Sequence, residues 1–218
     1  MQTESEPKGK IKMLLTKILL LTAFIGHVIC RKCDSLLAYT PSGRFSAADM
    51  KSCGKMAERF EGMSLKNIMI SMLLGVPALM MSGFGAFGLC RYMFGFSKVY
   101  GTIMAISAAV FICFVIAHHV LCGVTEWIFV RFDRTEESYK AVLDFLKQTA
   151  VMMYVCYTGL LVFAVTFFIA VVTGATDLPR WACIFNTLPL FLVLTPFKLV
   201  GTGNIANALM YLGLFIFI

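Results

Sequence analysis

The sequence predicts an all-α protein, a polytopic transmembrane helical bundle of about six spans, on three observations. Hydrophobic residues make up 59% of the 218 positions and charged residues 14%, whereas soluble domains average about 45–50% and about 25%. The mean hydropathy is +0.83. The apolar residues also form long blocks, of the length that crosses a bilayer core about 30 Å thick. This pattern excludes a soluble enzyme, a disordered chain and a secreted disulfide scaffold.

Six apolar segments are predicted as spans of one transmembrane domain, residues 1–218. Backbone amides in lipid need partners within their own segment, so each span is expected to be a helix. The first has no small-residue cleavage site after it, which favours a retained span over a signal peptide. Its helix is expected either to end near residue 30 or to continue to Tyr39. The fifth is short and is expected to break at Pro189 and Pro196, and 131–147 is expected to be a charged connection between the third and fourth. The spans lie at about 13–30, 67–90, 99–130, 149–173, 181–197 and 199–218.

The polar connection 31–66 is predicted to contain an amphipathic segment at the membrane surface. Pro41-Ser42-Gly43 is a turn signal, and Ser46 with Asp49 fits a capping box in which Asp takes the place of Glu. Apolar residues then recur near helical spacing, with charged residues on the other faces. These apolar residues are Met50, Met56, Phe60 and Met63.

The charge distribution favours a lipid surface as the anionic partner. The formal net charge is +7, from 19 Lys and Arg against 12 Asp and Glu, and the basic residues lie between the apolar blocks, at the level of headgroups. No basic run is interleaved with aromatic residues in the manner of a nucleic-acid groove, so no nucleic-acid partner is expected. A homo-oligomer stays open.

Ionisable side chains inside apolar spans are costly, so each is a candidate site. On the third span, His119, Cys122 and Glu126 lie within about 60° of one another around a helix, and His118 pairs with Cys122 at i, i+4. Imidazole, thiolate and carboxylate together bind zinc, whereas imidazole and carboxylate also transfer protons. No cofactor is predicted, but zinc on these three residues stays open beside plain hydrogen bonding between helices.

Further polar groups near the other spans complete a predicted intramembrane ligand site. Asp34 and Tyr39 follow the first span and are read as a pocket mouth, with an interfacial ion pair of Asp34 as the alternative. Asparagine side chains within spans either hydrogen-bond across helices or bind a polar ligand. The predicted ligand-binding residues are His118, His119, Glu126, Asn186, Asn204, Asn207, Asp34 and Tyr39. Ser71 and Gly75, one turn apart, are read as a small-residue face for close helix packing.

Three stretches resemble an uncharacterised bacterial multi-pass membrane family, a domain of unknown function. They are 33–43, with Cys33-Asp34-Ser-Leu-Leu-Ala-Tyr39-Thr-Pro-Ser-Gly, 179–186, with Pro-Arg-Trp181-Ala-Cys-Ile-Phe-Asn186, and 203–207, with Gly-Asn204-Ile-Ala-Asn207. The resemblance implies six helices in a bacterial cytoplasmic (inner) membrane and implies no chemistry.

Three functions compete at this stage. The first is binding of a lipid-like or small hydrophobic ligand in an intramembrane cavity. The second is an intramembrane enzyme, an isomerase or hydrolase, with His119 and Glu126 as candidate catalytic acid and base. The third is a structural or assembly protein without a ligand, whose polar residues only join helices.

Overall fold

Four long helices form the body of the protein. The computed structural model describes residues 5–218, and within that range four helices are long and apolar enough to cross a membrane, with mean hydropathies of 1.8 to 2.5 over their most apolar windows. Each has at least 30 residues, or about 45 Å at 1.5 Å per residue. They are α1 (Ser5–Ala38), α3 (Leu65–Phe94), α4 (Lys98–Arg131) and α5 (Glu136–Val172).

The long helices pack side by side in alternating directions. The Ser71 hydroxyl of α3 bonds the Cys33 carbonyl near the end of α1, while Gly85 of α3 lies against Ala23 earlier in α1, so these two helices are antiparallel. Small residues lie in the interfaces and let the backbones approach closely, as in membrane bundles generally. Fully buried alanines at these interfaces are Ala23, Ala78, Ala86, Ala108 and Ala164.

Two hydrophobic clusters contact α1, one at its middle and the other at its C-terminal end. The larger contains Leu20 and Ala23 of α1 together with residues of all the other long helices. The smaller contains Leu37, at the C-terminal end of α1. Between them along α1 lie His27, Cys30 and Asp34, which are the polar residues that build the site below.

The connection after α1 is shorter and more structured than the sequence indicates. The helix continues to Ala38, close to the longer of its two expected limits, and a two-stranded turn follows, in which β1 (Tyr39–Thr40) pairs with β2 (Gly43–Arg44). The predicted turn at Pro41 is therefore confirmed. Ser46 donates both its backbone NH and its hydroxyl to the Asp49 carboxylate, at 2.7 and 2.9 Å. Only the bond from the Ser46 NH to the carboxylate follows the predicted capping box, because Ala48 rather than Ser46 is the N-cap of the 3-10 turn that follows.

The amphipathic segment is present, but its apolar residues face the protein. It consists of a 3-10 turn (Asp49–Lys51) and α2 (Cys53–Arg59), which Ser52 caps by accepting a hydrogen bond from the Lys55 NH. Met56 and Phe60 are buried, and the Phe60 ring contacts Phe129 of α4 edge-on at 5.9 Å between centroids. The apolar face is thus covered by α4 and α5 and is unavailable for insertion into headgroups.

The expectation of a charged connection at 131–147 is wrong. The structure has a turn of only four residues there, 132–135. Asp133 and Arg134 adopt left-handed backbone conformations there. Thr135 then accepts a hydrogen bond from the Ser138 NH, and two glutamates occupy the first turn of α5. An N-cap and acidic residues at a helix start stabilise that start, so α5 begins thirteen residues before the predicted fourth span.

The last two predicted spans are not confirmed as spans. The segment 181–197 is divided into a 3-10 stretch (Arg180–Phe185), the eight-residue α6 (Thr187–Leu194) and a 3-10 turn (Thr195–Phe197). The first break falls at Asn186, whose side chain caps α6 at Leu188, rather than at Pro189, which sits in the first turn where proline is tolerated. The helix α6 is about 12 Å long.

The final helix, α7 (Thr202–Phe217), has sixteen residues, or about 24 Å. It runs antiparallel to α1, because Asn204 contacts Asp34 while Tyr211 stacks on His27 at 5.5 Å. Thr187 at the start of α6 bonds Asn207, so α6 packs along α7. The helix α7 completes the wall around the polar residues of α1, and α6 packs behind it.

Candidate functional site

A cavity of about 270 Å³ lies between α1, α3, α4, α5 and α7. Its walls are mainly apolar, with Leu79, Phe111, Val115 and Leu160 among them. The polar side chains come from α1, α4, α5 and α7. The polar and sulfur-bearing residues that line it are His27, Cys30, Asp34, His118, His119, Cys122, Tyr157, Asn204 and Asn207.

Asn204 is the centre of the polar contacts. Its carboxamide oxygen accepts a hydrogen bond from His27 Nδ1 at 2.8 Å. Its Nδ2 donates to Asp34 Oδ2 at 2.8 Å and to Cys30 Sγ at 3.4 Å. One side chain of α7 thereby orders three side chains of α1 that lie on one helical face at spacings of three and four residues.

His119 of α4 reaches the same place from the opposite wall. Its Nε2 donates to the Ser71 carbonyl oxygen at 3.1 Å, and its Nδ1 lies 3.8 Å from Asp34 Oδ1. The ring occupies the space above Gly75, where a Cβ would overlap it. The predicted small-residue face of Ser71 and Gly75 therefore packs closely against α4, and it accommodates the His119 imidazole.

His118 and Cys122 form a second polar pair at the cavity wall. Cys122 Sγ lies 3.6 Å from His118 Nε2. The i, i+4 pairing expected from the sequence is present, and it is separate from the contacts of His119 with α1 and α3.

Three of the predicted ligand-binding residues lie away from the cavity. Glu126 is buried on α4, and its Oε2 has no hydrogen-bond partner among residues 5–218. Asn186 donates to the Ala164 carbonyl at 2.9 Å and caps α6. Tyr39 is half exposed in the β-turn. The predicted catalytic pair of His119 and Glu126 is not assembled around the cavity, and binding by the other five residues stays a prediction.

Tyr157 of the fourth predicted span was expected to border a cavity and does line it, whereas sequence reasoning missed Cys30 as a member of the site. Among the described residues, the group of three metal-capable side chains that comes together is Cys30, Asp34 and His119, whose ligand atoms all lie within 4.8 Å of one another. The zinc set considered from the sequence (His119, Cys122 and Glu126) does not form this group. The signal in the sequence was the spacing of His27, Cys30 and Asp34 at i, i+3 and i+7, which places all three on one face of a helix.

The four long apolar helices define the class: an α-helical integral membrane protein with several spans. More particularly, the chain belongs to a family of unknown function, DUF6796, and the match covers residues 6–218. The resemblance to an uncharacterised domain of unknown function is thereby confirmed. No curated protein and no solved structure matches the chain.

Proposed function

We propose that this protein binds a small hydrophobic or lipid-like molecule in the intramembrane cavity, with a polar group of the ligand placed against Asp34, His119 and Asn204. One observation supports this above all. Polar side chains from three helices converge at one side of a cavity whose walls are otherwise mainly apolar, apart from Tyr157 and the pair of His118 and Cys122. Sites for small molecules have this composition, since apolar walls supply affinity and a few polar groups set orientation.

The size of the cavity limits the ligand. A volume of about 270 Å³ lies just below the usual range of about 300–1,000 Å³ for small-molecule pockets. A small organic molecule fits, or the polar end of a lipid whose chains remain in the bilayer.

The polar cluster is reachable from the cavity. The Asp34 side chain keeps 26% of its surface exposed, although it lies within an apolar helix. An ionisable group at such a place is costly in lipid and marks a functional site by default. A purely structural role would favour full burial of this carboxylate behind its partners.

The membrane itself is a separate expectation. We propose the bacterial cytoplasmic membrane, on the resemblance noted above, and fractionation of the source cells tests it. The binding proposal does not depend on which membrane this is.

Two glycines allow a matched test of ligand binding. Gly203 lines the cavity, and a Cβ there meets open space. Gly54 has equally open space and lies in α2, outside the cavity. Both are second residues of their helices, so Gly203→Leu and Gly54→Leu place the same side chain in comparable backbone positions.

The measurement is native mass spectrometry of protein extracted in mild detergent. We expect an organic adduct of reproducible mass on the wild type and on Gly54→Leu, reduced at least severalfold on Gly203→Leu. An adduct unchanged by Gly203→Leu would contradict the cavity as its site. The structural role would be favoured instead by two results together. The wild-type protein would carry no adduct, and Gly203→Leu would unfold at a higher temperature than the wild type.

A further inference from the structure

We infer that Cys30, Asp34 and His119 bind one zinc ion at the polar side of the cavity. The inference rests on the cavity of the proposed function and deepens it, because the ion would meet the polar group of the ligand. The two have separate readouts, a metal content and an organic mass.

The spacing of the ligand atoms suits a tetrahedral ion. Zinc binds sulfur at about 2.3 Å and nitrogen or oxygen at about 2.0–2.2 Å, which in a tetrahedron places two nitrogen or oxygen ligands about 3.3–3.6 Å apart and a sulfur about 3.5–3.7 Å from either. Asp34 Oδ1 and His119 Nδ1 are 3.8 Å apart, too far for a hydrogen bond. Cys30 Sγ lies within 4.8 Å of both ligand atoms, so a small side-chain shift closes the set.

His119 presents the correct atom. Because its Nε2 donates to the Ser71 carbonyl, the neutral ring carries its proton on Nε2 and its lone pair on Nδ1. Nδ1 lies 3.8 Å from Asp34 Oδ1, so a metal ion between these two atoms would be bound by both. Metal-binding histidines have this same outer contact, with the second ring nitrogen donating to a carbonyl or carboxylate.

The other two ligands are held by Asn204. Its Nδ2 donates to Asp34 Oδ2 and to Cys30 Sγ, and His27 fixes the amide from behind. Hydrogen bonds of this kind orient a carboxylate and stabilise a thiolate in the outer shell of a metal site. All three proposed ligands therefore have a defined supporting partner.

The charges of the proposed site balance within its apolar surroundings. A thiolate and a carboxylate supply two negative charges, the neutral imidazole supplies none, and Zn²⁺ cancels both. Cys30 is 2% exposed and His119 is 8% exposed, in a region where an uncompensated charge is costly. The bound ion removes this cost.

The proposed site leaves one coordination position toward the cavity. Cys30, Asp34 and His119 come from α1 and α4, and all three line the cavity. Three protein ligands with an open fourth position are typical of zinc sites that bind an exchangeable group, whereas purely structural zinc sites use four protein ligands. We therefore expect an oxygen of water or of the ligand in the fourth position.

The test is metal analysis of protein purified through a tag without histidine and without chelators. We expect about one zinc per chain in the wild type. Asp34→Asn and His119→Gln should lower the zinc content at least tenfold, since even outer-shell changes reduce affinity about 10–100-fold. Two control variants carry the same substitutions outside the cavity and should retain zinc. Asp144→Asn, on the exposed part of α5, matches Asp34→Asn, and Cys90→Ser, on α3, matches Cys30→Ser.

A second measurement has its first readout in the wild-type protein, which does not depend on any variant folding. Cobalt(II) exchanged into wild-type protein should give the near-ultraviolet charge-transfer band of a cobalt–thiolate bond, and Cys30→Ser should lose it. Wild-type protein without zinc and without this band would overturn the inference, as would zinc retained in His119→Gln but lost in His118→Gln. An organic adduct without zinc would overturn this inference alone, whereas zinc without an organic adduct would count against the proposed ligand alone.

Discussion

Asn204 near the start of the last helix donates its amide NH to the Asp34 carboxylate near the end of the first helix, at 2.8 Å. The two residues are 170 positions apart in the chain, and the contact joins the two ends of the family match. His27 bonds the same amide from the other side. This bridge positions α7 on α1 and sets the orientation of every polar group on the α1 side of the cavity.

The first prediction concerns Asn204→Leu. The substitution removes the bridge and leaves Asp34 and His27 without this partner, so the free energy of unfolding in detergent should fall by about 1–3 kcal/mol. The measurement is reversible unfolding followed by circular dichroism. Asn67→Leu, the same change at the start of α3 outside the cavity, serves as the control. Equal stability of Asn204→Leu and wild type would show that the bridge contributes nothing.

The second prediction concerns Gly75→Ala. A Cβ at Gly75 overlaps the His119 imidazole, so the ring must move and its bond to the Ser71 carbonyl is lost. Overpacking of this kind costs about 1–3 kcal/mol, and we expect a lower unfolding temperature. Gly203→Ala, where the added methyl meets open space, should show no such loss. A stable Gly75→Ala protein would mean that the helices separate here without cost.

The sequence predicted the long helices well because their signal is local. An unbroken apolar block of about 20 residues has few alternatives to a spanning helix, and α3 and α4 follow their predicted limits closely. The start of α5 was missed because hydropathy detects apolar spans and does not detect a polar extension of the same helix. There, the cap at Thr135 and the burial of Tyr139 against the α2 segment decide the structure.

The site was only partly predictable, because it depends on how helices rotate against one another. His119 and Asp34 were both candidates, but nothing local shows that α4 turns His119 toward α1 and leaves Glu126 outside the cavity. Cys30 had a readable spacing with Asp34 on one face of α1. Its partner on α4 is 89 residues away, and a single sequence carries no signal for that contact.

The third prediction concerns Glu126→Met. Glu126 is 8% exposed, and its Oε2 lacks a hydrogen-bond partner among the described residues. A buried polar group without a partner costs about 1–3 kcal/mol, so an apolar side chain of similar length should raise the free energy of unfolding by a comparable amount. Glu137→Met, on the exposed first turn of α5, should change it by less than about 0.5 kcal/mol. A destabilised Glu126→Met protein would instead indicate that this carboxyl has an essential partner.

The fourth prediction is a pH dependence of the segment that contains Asp49, outside the membrane-spanning helices. Desolvation acts to raise the pKa of Asp49, but the hydrogen bonds from Ser46 and the charge of Arg59, 3.4 Å away, outweigh it and lower the pKa below the ordinary 3.8. A group whose pKa is lowered by folding stabilises the folded state above its unfolded pKa. That contribution is lost as the pH falls through the folded value.

Hydrogen exchange of peptides covering 44–60 measures this effect. After correction for intrinsic rates, we expect protection to be constant above pH 3.8 and to fall as the pH drops below it. Asp49→Asn keeps a side chain of the same shape without the charge, so it should lose protection at all pH values and show no such transition. Arg59 also donates to the Ser42 carbonyl, which ties the β-turn to α2 independently of Asp49. If the loss of protection below pH 3.8 persists in Asp49→Asn, the pH dependence belongs to another group.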